Sequence, residues 1–251
     1  MHFRFVDADI NVNLRDRMEL FAAVRHRLVR GDGFALATIN LDHLVKLSST
    51  ESFRRAYAEH DFIVADGNPI VWLSYLARQP VNLVPGSDVI VPLSRLAAEM
   101  GLPVSLVGTT PDALSRAAER LKQEVPQFRV GELISPTFGF DPSGPEAAEI
   151  LQRIADVGPG LCFIALSAPK QELMATIGRK VAPHTGFAGI GAGLDFLAGD
   201  QIRAPFWMRA IAMEWLWRAL TSPGRLVPRY LACAAILPRQ ILAAWRMRHE
   251  A

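Results

Sequence analysis

The chain of 251 residues has two cysteines, six scattered histidines and no long apolar run. Each scarcity excludes something. Cys162 and Cys233 lie far apart, and Cys162 sits in an apolar, strand-like stretch. No disulfide framework is implied, and a reducing cytoplasm fits. His2, His26, His43, His60, His184 and His249 form no H-E-x-x-H and no His/Cys pair at ligand spacing. No stretch reaches the roughly 18 apolar residues that a membrane-spanning helix needs. The opening MHFRFVDADI lacks the apolar segment of a secretory signal. A serine nucleophile finds no G-x-S-x-G elbow. Gly189, Gly191 and Gly193 do not make G-x-G-x-x-G, because Leu194, Asp195 and Phe196 follow. That counts against a soluble dinucleotide enzyme. There is no internal repeat and no low-complexity segment.

What is present is a large apolar fraction, 50% of residues, enough for a sizeable core. The net charge of +2 hides an asymmetry. Residues 201–251 hold eight arginines, no lysine and two acids, a net of +6, against −4 for residues 1–200. Four of the five tryptophans, Trp207, Trp215, Trp217 and Trp245, also fall there. This shift predicts a core over 1–200 and a basic, Trp-rich helical appendage over 201–251. The appendage is too rich in Trp, Leu and Ile for a groove that tracks nucleic-acid phosphates, so no nucleic acid is expected.

Within residues 1–200, short apolar runs alternate with helical patterns. Strands are predicted at 33–38, 61–65, 103–107, 127–133, 161–166 and 185–189. Helices are predicted at 14–30, 41–48, 51–60, 69–76, 89–100, 111–124, 145–157 and 169–181. Such alternation implies an α/β fold, a mostly parallel sheet with helices on both faces.

Several predicted strands end in polar or glycine-rich loops. In FIVADGNPIVWL, Asp66 stands where strand gives way to helix. Asp66 either caps that helix or lies at a strand tip, where open α/β sheets bind ligands. LVGTTPDAL places Gly108 and Thr109 after a strand, and GFAGIGAGLDFLAG places Gly191 and Asp195 likewise. Loops of this kind let backbone N–H groups approach phosphate, and tight-turn packing is the alternative. Asp7 and Asp9 form a D-x-D, read here as solvated acids rather than a metal site.

The ordered set ATINLDHL, DFIVADGNPIVW, PGSD, VSLVGTTPDAL, SAPKQE, GIGAGLDFLAGDQIRAPFWM and MEWLWRALTSPGRLVPRY resembles the WecG/TagA/CpsF glycosyltransferases, glycosyltransferase family 26. The resemblance runs from about Phe34 to Tyr230. It implies a Rossmann-like core with a C-terminal, membrane-associating appendage. It implies an inverting transferase for surface polysaccharide, moving a sugar (N-acetylmannosamine-type or glucose) from a UDP-sugar to a polyprenyl-diphosphate-linked sugar. The expected place is the inner face of the cytoplasmic membrane, as a peripheral protein. No cofactor or essential metal is expected, and self-association is a property of some relatives.

By resemblance, Asp66 is the catalytic base, with Thr38 and Asn40 of the T-x-N and Gln171 of the P-x-Q-E around the reacting sugars. Gly108, Thr109, Gly191 and Asp195 are expected on the donor. Arg218, Arg225 and Arg229 fall on arginines that hold the lipid diphosphate; the planar guanidinium suits phosphate oxygens. Pro223 and Pro228 are expected to break the helix around them. The chain departs from the family at Leu83, where an arginine is usual, with Arg78 nearby as a substitute. Ser167 and Met174 also replace a family glycine and tryptophan. A non-catalytic member that binds nucleotide-sugar or lipid carrier as an assembly subunit is the alternative.

Overall fold

A computed structural model describes residues 1–201, 204–205, 208 and 213–248, apart from the side chains of Arg218 and Arg225. The centre is a six-stranded parallel sheet of β3 (Phe34–Ile39), β4 (Phe62–Ala65), β5 (Pro103–Gly108), β6 (Arg129–Ile134), β7 (Gly160–Ala165) and β8 (Thr185–Gly189). Its spatial order is β4-β3-β8-β7-β5-β6. All six predicted strands are present. The run FALATI of β3 is buried at every position, as a central parallel strand covered on both faces requires.

The covering helices sort by strand parity. Phe34, Leu36, Val104, Leu106, Leu161 and Phe163 face α1 (Arg17–Arg30), α5 (Gly86–Glu99), α6 (Pro111–Glu124) and the short α9 (Gly193–Ala198). The alternate residues Ala35, Val107, Cys162, Ile164 and Phe187 face α7 (Pro145–Val157) and α8 (Lys170–Val181). Ala37, Ile39, Ile63 and Ala65 pack with α2 (Leu41–Ser49), α3 (Glu51–Ala58) and α4 (Asn68–Leu76). Cys162 and Cys233 are free thiols, as expected.

The N-terminal hairpin and the short α9 escaped the sequence reading. Residues His2–Arg4 (β1) and Asp9–Asn11 (β2) pair antiparallel, and Phe3, Ile10 and Val12 are buried in the core. The segment after β2 also shields the open edge of β4. The Asn13 side chain donates to Asp61 O at 2.7 Å and accepts from Ile63 N at 2.8 Å. An unpaired strand edge is thereby covered. Asp7 is held by Arg54.

The C-terminal segment forms α10 (Glu214–Thr221) and α11 (Pro223–Met247). Pro223 opens α11, but Pro228 and Pro238 lie inside it, so Pro228 does not break the helix as expected. An internal proline costs about 3 kcal/mol. Packing offsets this here: α11 lies on α2 and α4 and buries Leu226, Cys233, Ala244 and Met247. Among the described residues, no helix is long and apolar enough to cross a membrane.

The end of α11 is thus part of the core. Ala244→Asp is expected to destabilise the chain by about 3 kcal/mol or more, since a charge would be buried without a partner. Urea denaturation measures this. An unchanged midpoint would mean that the helix end is not packed as described.

Candidate functional site at the carboxyl edge of the sheet

In an open α/β sheet, ligands bind at the carboxyl ends of strands where successive connections leave to opposite faces. Two such places occur here. After β3 the chain enters α2 and after β8 it enters α9, on opposite faces of adjacent strands. After β5 it enters α6 and after β7 it enters α8, again on opposite faces. Thr38, Asn40, Gly191 and Asp195 lie at the first, Gly108 and Thr109 at the second, and Asp66 at the neighbouring tip of β4.

Asp66 follows β4 directly and is half-buried; its N–H donates to Ile39 O at 2.7 Å. It is not the cap of α4. Gly67, at φ 131°, holds that position, and α4 starts without a side-chain capping bond. The carboxylate therefore stands at the strand tip, beside Asn40. The Asn40 Oδ1 caps α2 by accepting from His43 N at 3.1 Å. The cap uses Oδ1 alone and leaves the amide N–H groups for other partners.

Thr38 and Gln171 lie just behind the edge, both buried. The Thr38 hydroxyl donates to Gly189 O at 3.4 Å. A Cβ on Gly86 would lie 3.2 Å from that hydroxyl and 3.1 Å from Ile190 Cα, so the glycine of PGSD permits α5 to abut the strand ends. Gln171 accepts from Gly191 N at 3.0 Å and donates to Glu172 Oε1 at 2.8 Å. Its side chain thus fixes the loop between β8 and α9.

Gly108 and Thr109 follow β5. A Cβ on Gly108 would lie 2.3 Å from Ala165 O, and its φ is 123°, so close approach of β7 alone demands glycine there. Thr109 takes φ 47°, rare for a β-branched residue. It is held by its hydroxyl donating to Asp195 Oδ1 and by Ser135 Oγ donating to its carbonyl at 2.5 Å. Asp195 Oδ2 also accepts from Gln201 Nε2 at 3.0 Å. Strain that is held in place by neighbours is a frequent mark of ligand sites. Thr110 then caps α6, whose first turn opens onto the same edge.

Arg229 on α11 reaches the site's flank. Its Nη2 lies 3.0 Å from Asp42 Oδ2, which also pairs with Lys46 Nζ at 2.8 Å. Asp42 lies two residues beyond Asn40, so the tail is tied to the helix that leaves β3. The side chains of Arg218 and Arg225 lie outside the described residues. Leu83 pairs with Ala65 in an isolated parallel bridge, next to Asp66. Arg78 lies two residues past the end of α4, at φ 58°.

Sequence reading missed a buried layer beneath the edge. Glu172 is fully buried, with one oxygen lacking a hydrogen-bond partner, and burial pushes its carboxyl from 4.5 up to about 7. His43 Nε2 lies 3.9 Å from it, and His43 Nδ1 lies 2.9 Å from the Tyr57 hydroxyl. Burial lowers His43 from 6.5 to about 3, so its ring is neutral. These residues share no local spacing that marks them in the sequence. A cleft of about 380 Å³ between α3 and α8 lies away from the strand tips; its walls are Glu51, Arg55, Glu59, Leu173, Thr176 and Lys180 among others. No group of three or more His, Cys, Asp or Glu suited to a metal occurs among the described residues.

Along the sheet, Asp66 and Thr109 are separated by four strand spacings, roughly 19 Å. That is the scale of an extended nucleoside-diphosphate sugar laid along the edge. A parallel α/β sheet with polar groups of this kind across its switch points is a framework that suits a nucleotide ligand. The family model for the glycosyl transferase WecG/TagA/CpsF family matches residues 6–250, and the chain belongs to that family. Its activity class is therefore glycosyl transfer in polysaccharide biosynthesis, with a nucleotide-sugar donor and a lipid-linked acceptor in general.

The buried Glu172 gives a pH signature. The folded chain holds this proton more tightly than the unfolded chain does. Its stabilising contribution is full below about pH 4.5 and is lost as pH rises towards about 7. His43 and His60, held neutral at about 3 and about 4, act oppositely: their contribution is present above 6.5 and lost as pH falls. Glu172→Gln keeps an oxygen for Gln171 and leaves both histidines in place. Relative to wild type, the variant is expected to gain up to about 3 kcal/mol between roughly pH 4.5 and pH 8 in urea denaturation. Parallel pH profiles for the two proteins would refute the buried, raised carboxyl.

Proposed function

We propose that the chain is an inverting transferase that moves a hexose or N-acetylhexosamine from a UDP-sugar to a sugar on a polyprenyl diphosphate. In this reading it works as a peripheral protein on the inner face of the cytoplasmic membrane, in exopolysaccharide or related surface polysaccharide assembly. The observation that carries it is Asp66, a half-buried acid directly at the tip of β4, one residue before the N-cap position of α4.

The acceptor hydroxyl attacks the anomeric carbon while Asp66 takes its proton. The new glycosidic C–O bond forms as the bond from the anomeric carbon to the UDP oxygen breaks. UDP departs with the bonding electron pair, and the anomeric configuration inverts. Asn40 amide N–H groups are placed to hold sugar hydroxyls next to Asp66. Thr38 and Gln171 keep the strand ends and the β8–α9 loop in register around the sugars. Gly108, Thr109, Gly191 and Asp195 line the donor half of the edge, where the first turn of α6 favours phosphate. Arg229, with Arg218 and Arg225, takes the lipid diphosphate. The basic, apolar α11 supplies attraction to anionic headgroups and contact with lipid.

Transfer from a panel of radiolabelled UDP-sugars to a polyprenyl-diphosphate-sugar acceptor tests the reading, with wild type and Asp66→Asn side by side and with or without EDTA. General-base assistance is worth about 10²–10⁴-fold. Asp66→Asn is expected to lose at least about 10²-fold in transfer and to keep UDP binding. Equal rates would remove Asp66 as base. UDP binding without transfer from any donor would favour a non-catalytic subunit, with Leu83 beside Asp66 as the reason.

A further inference from the structure

A second apolar surface lies on the core itself. The helix α4 starts two residues after Asp66 and packs against α11. Ile70, Leu73 and Ala77 are buried. Trp72 and Tyr75, three residues apart and so on one face, are 58% and 60% exposed. Large aromatics this open are not used for folding, and grouped apolar exposure marks an interaction surface. On α11, Val227, Leu231, Ile241, Leu242 and Trp245 are likewise exposed. At 100° per residue Val227, Leu231, Leu242 and Trp245 lie 100° or more around the helix from the buried Leu226, Cys233, Ala244 and Met247, with Ile241 nearer the margin.

Charge identifies the occupant. No acidic residue occurs from Gly67 to Ser87 or from Trp215 to His249. Arg78, Arg239 and Arg246 are exposed within these stretches. A second copy docked face to face would oppose arginines to arginines with no carboxylate between them, which disfavours a self-complementary interface. An anionic lipid surface meets both features: arginines pair with headgroups, and Trp and Tyr rings settle at the headgroup boundary.

We propose that α4 is a second bilayer contact beside α11, with Trp72 and Tyr75 seated among anionic headgroups. This rests on the membrane-face reading above and adds the core to it. The consequence is positional. Trp72 lies about 6 Å at helical rise from Asn68, the first residue of α4, which is two residues after Asp66. A bilayer touching α4 therefore holds Asp66 at the depth where a lipid-linked sugar emerges.

Flotation of the full chain with phosphatidylglycerol/phosphatidylcholine vesicles tests this, using wild type, Trp72→Ser/Tyr75→Ser, Tyr75→Glu alone and Leu231→Ser/Leu242→Ser. Both α4 side chains are exposed, so thermal unfolding midpoints should match wild type. The α4 variants are expected to lower vesicle binding by at least about tenfold, given the apolar area of two rings. Wild-type binding that the α4 variants retain and only Leu231→Ser/Leu242→Ser loses would overturn the α4 contact and keep the tail reading. A change of oligomeric state in the α4 variants with unchanged flotation would assign the face to a second copy and overturn the proposal. Wild type that fails to float would end the membrane-face reading itself.

Discussion

The arrangement at the carboxyl edge depends on one buried side chain, Gln171. Its carbonyl oxygen accepts from Gly191 N, and its amide donates to Glu172. The Gln171 side chain is itself buried, where an unpaired polar group costs about 1–3 kcal/mol and a paired one fixes a single geometry. With that loop fixed, Ile190 meets Gly86 of α5, and Thr38 meets Gly189. The ends of β3 and β8 are thereby held in register with the tip of β4, where Asp66 stands. A glycosyl transfer between two bound sugars needs such preorganisation, because much of its barrier is orientation.

The C-terminal helices join this edge through Arg229 and Asp42. Asp42 is largely buried and shared by Arg229 and Lys46. Asp42 and Lys46 sit on α2, whose cap is Asn40, so the tail is tied to the helix that leaves the reaction edge. In the proposed function, that linkage connects the group that holds the lipid diphosphate with the groups that hold the sugar. The C-terminal end of α11 packs among hairpin and α4 residues, so the same helix is core on one side and surface on the other.

Most of the fold was legible in the sequence because its signals are local. Strands such as FALATI and GLCFIA are short apolar runs, and α6 and α7 carry proline at their start. The hairpin was not legible, since three-residue strands such as HFR and DIN carry too little alternation. The helix α9 was hidden because six residues inside a glycine-rich run read as loop. Pro228 misled because local propensity gave way to packing of α11 on α2 and α4. Asp66 could be placed at a strand tip from sequence, but only the backbone shows that Gly67, and not Asp66, takes the N-cap position of α4. The layer of His43, Tyr57 and Glu172 comes from three helices, and no pattern in the chain brings them together before folding.

The most direct test of this account is a crystal structure of the chain with UDP. The account predicts the diphosphate along the carboxyl edge at Gly108, Thr109 and the β8–α9 loop, with its free end directed towards Asp66 and Asn40. UDP bound elsewhere, such as between α3 and α8, or at the edge but directed away from β4, would contradict it.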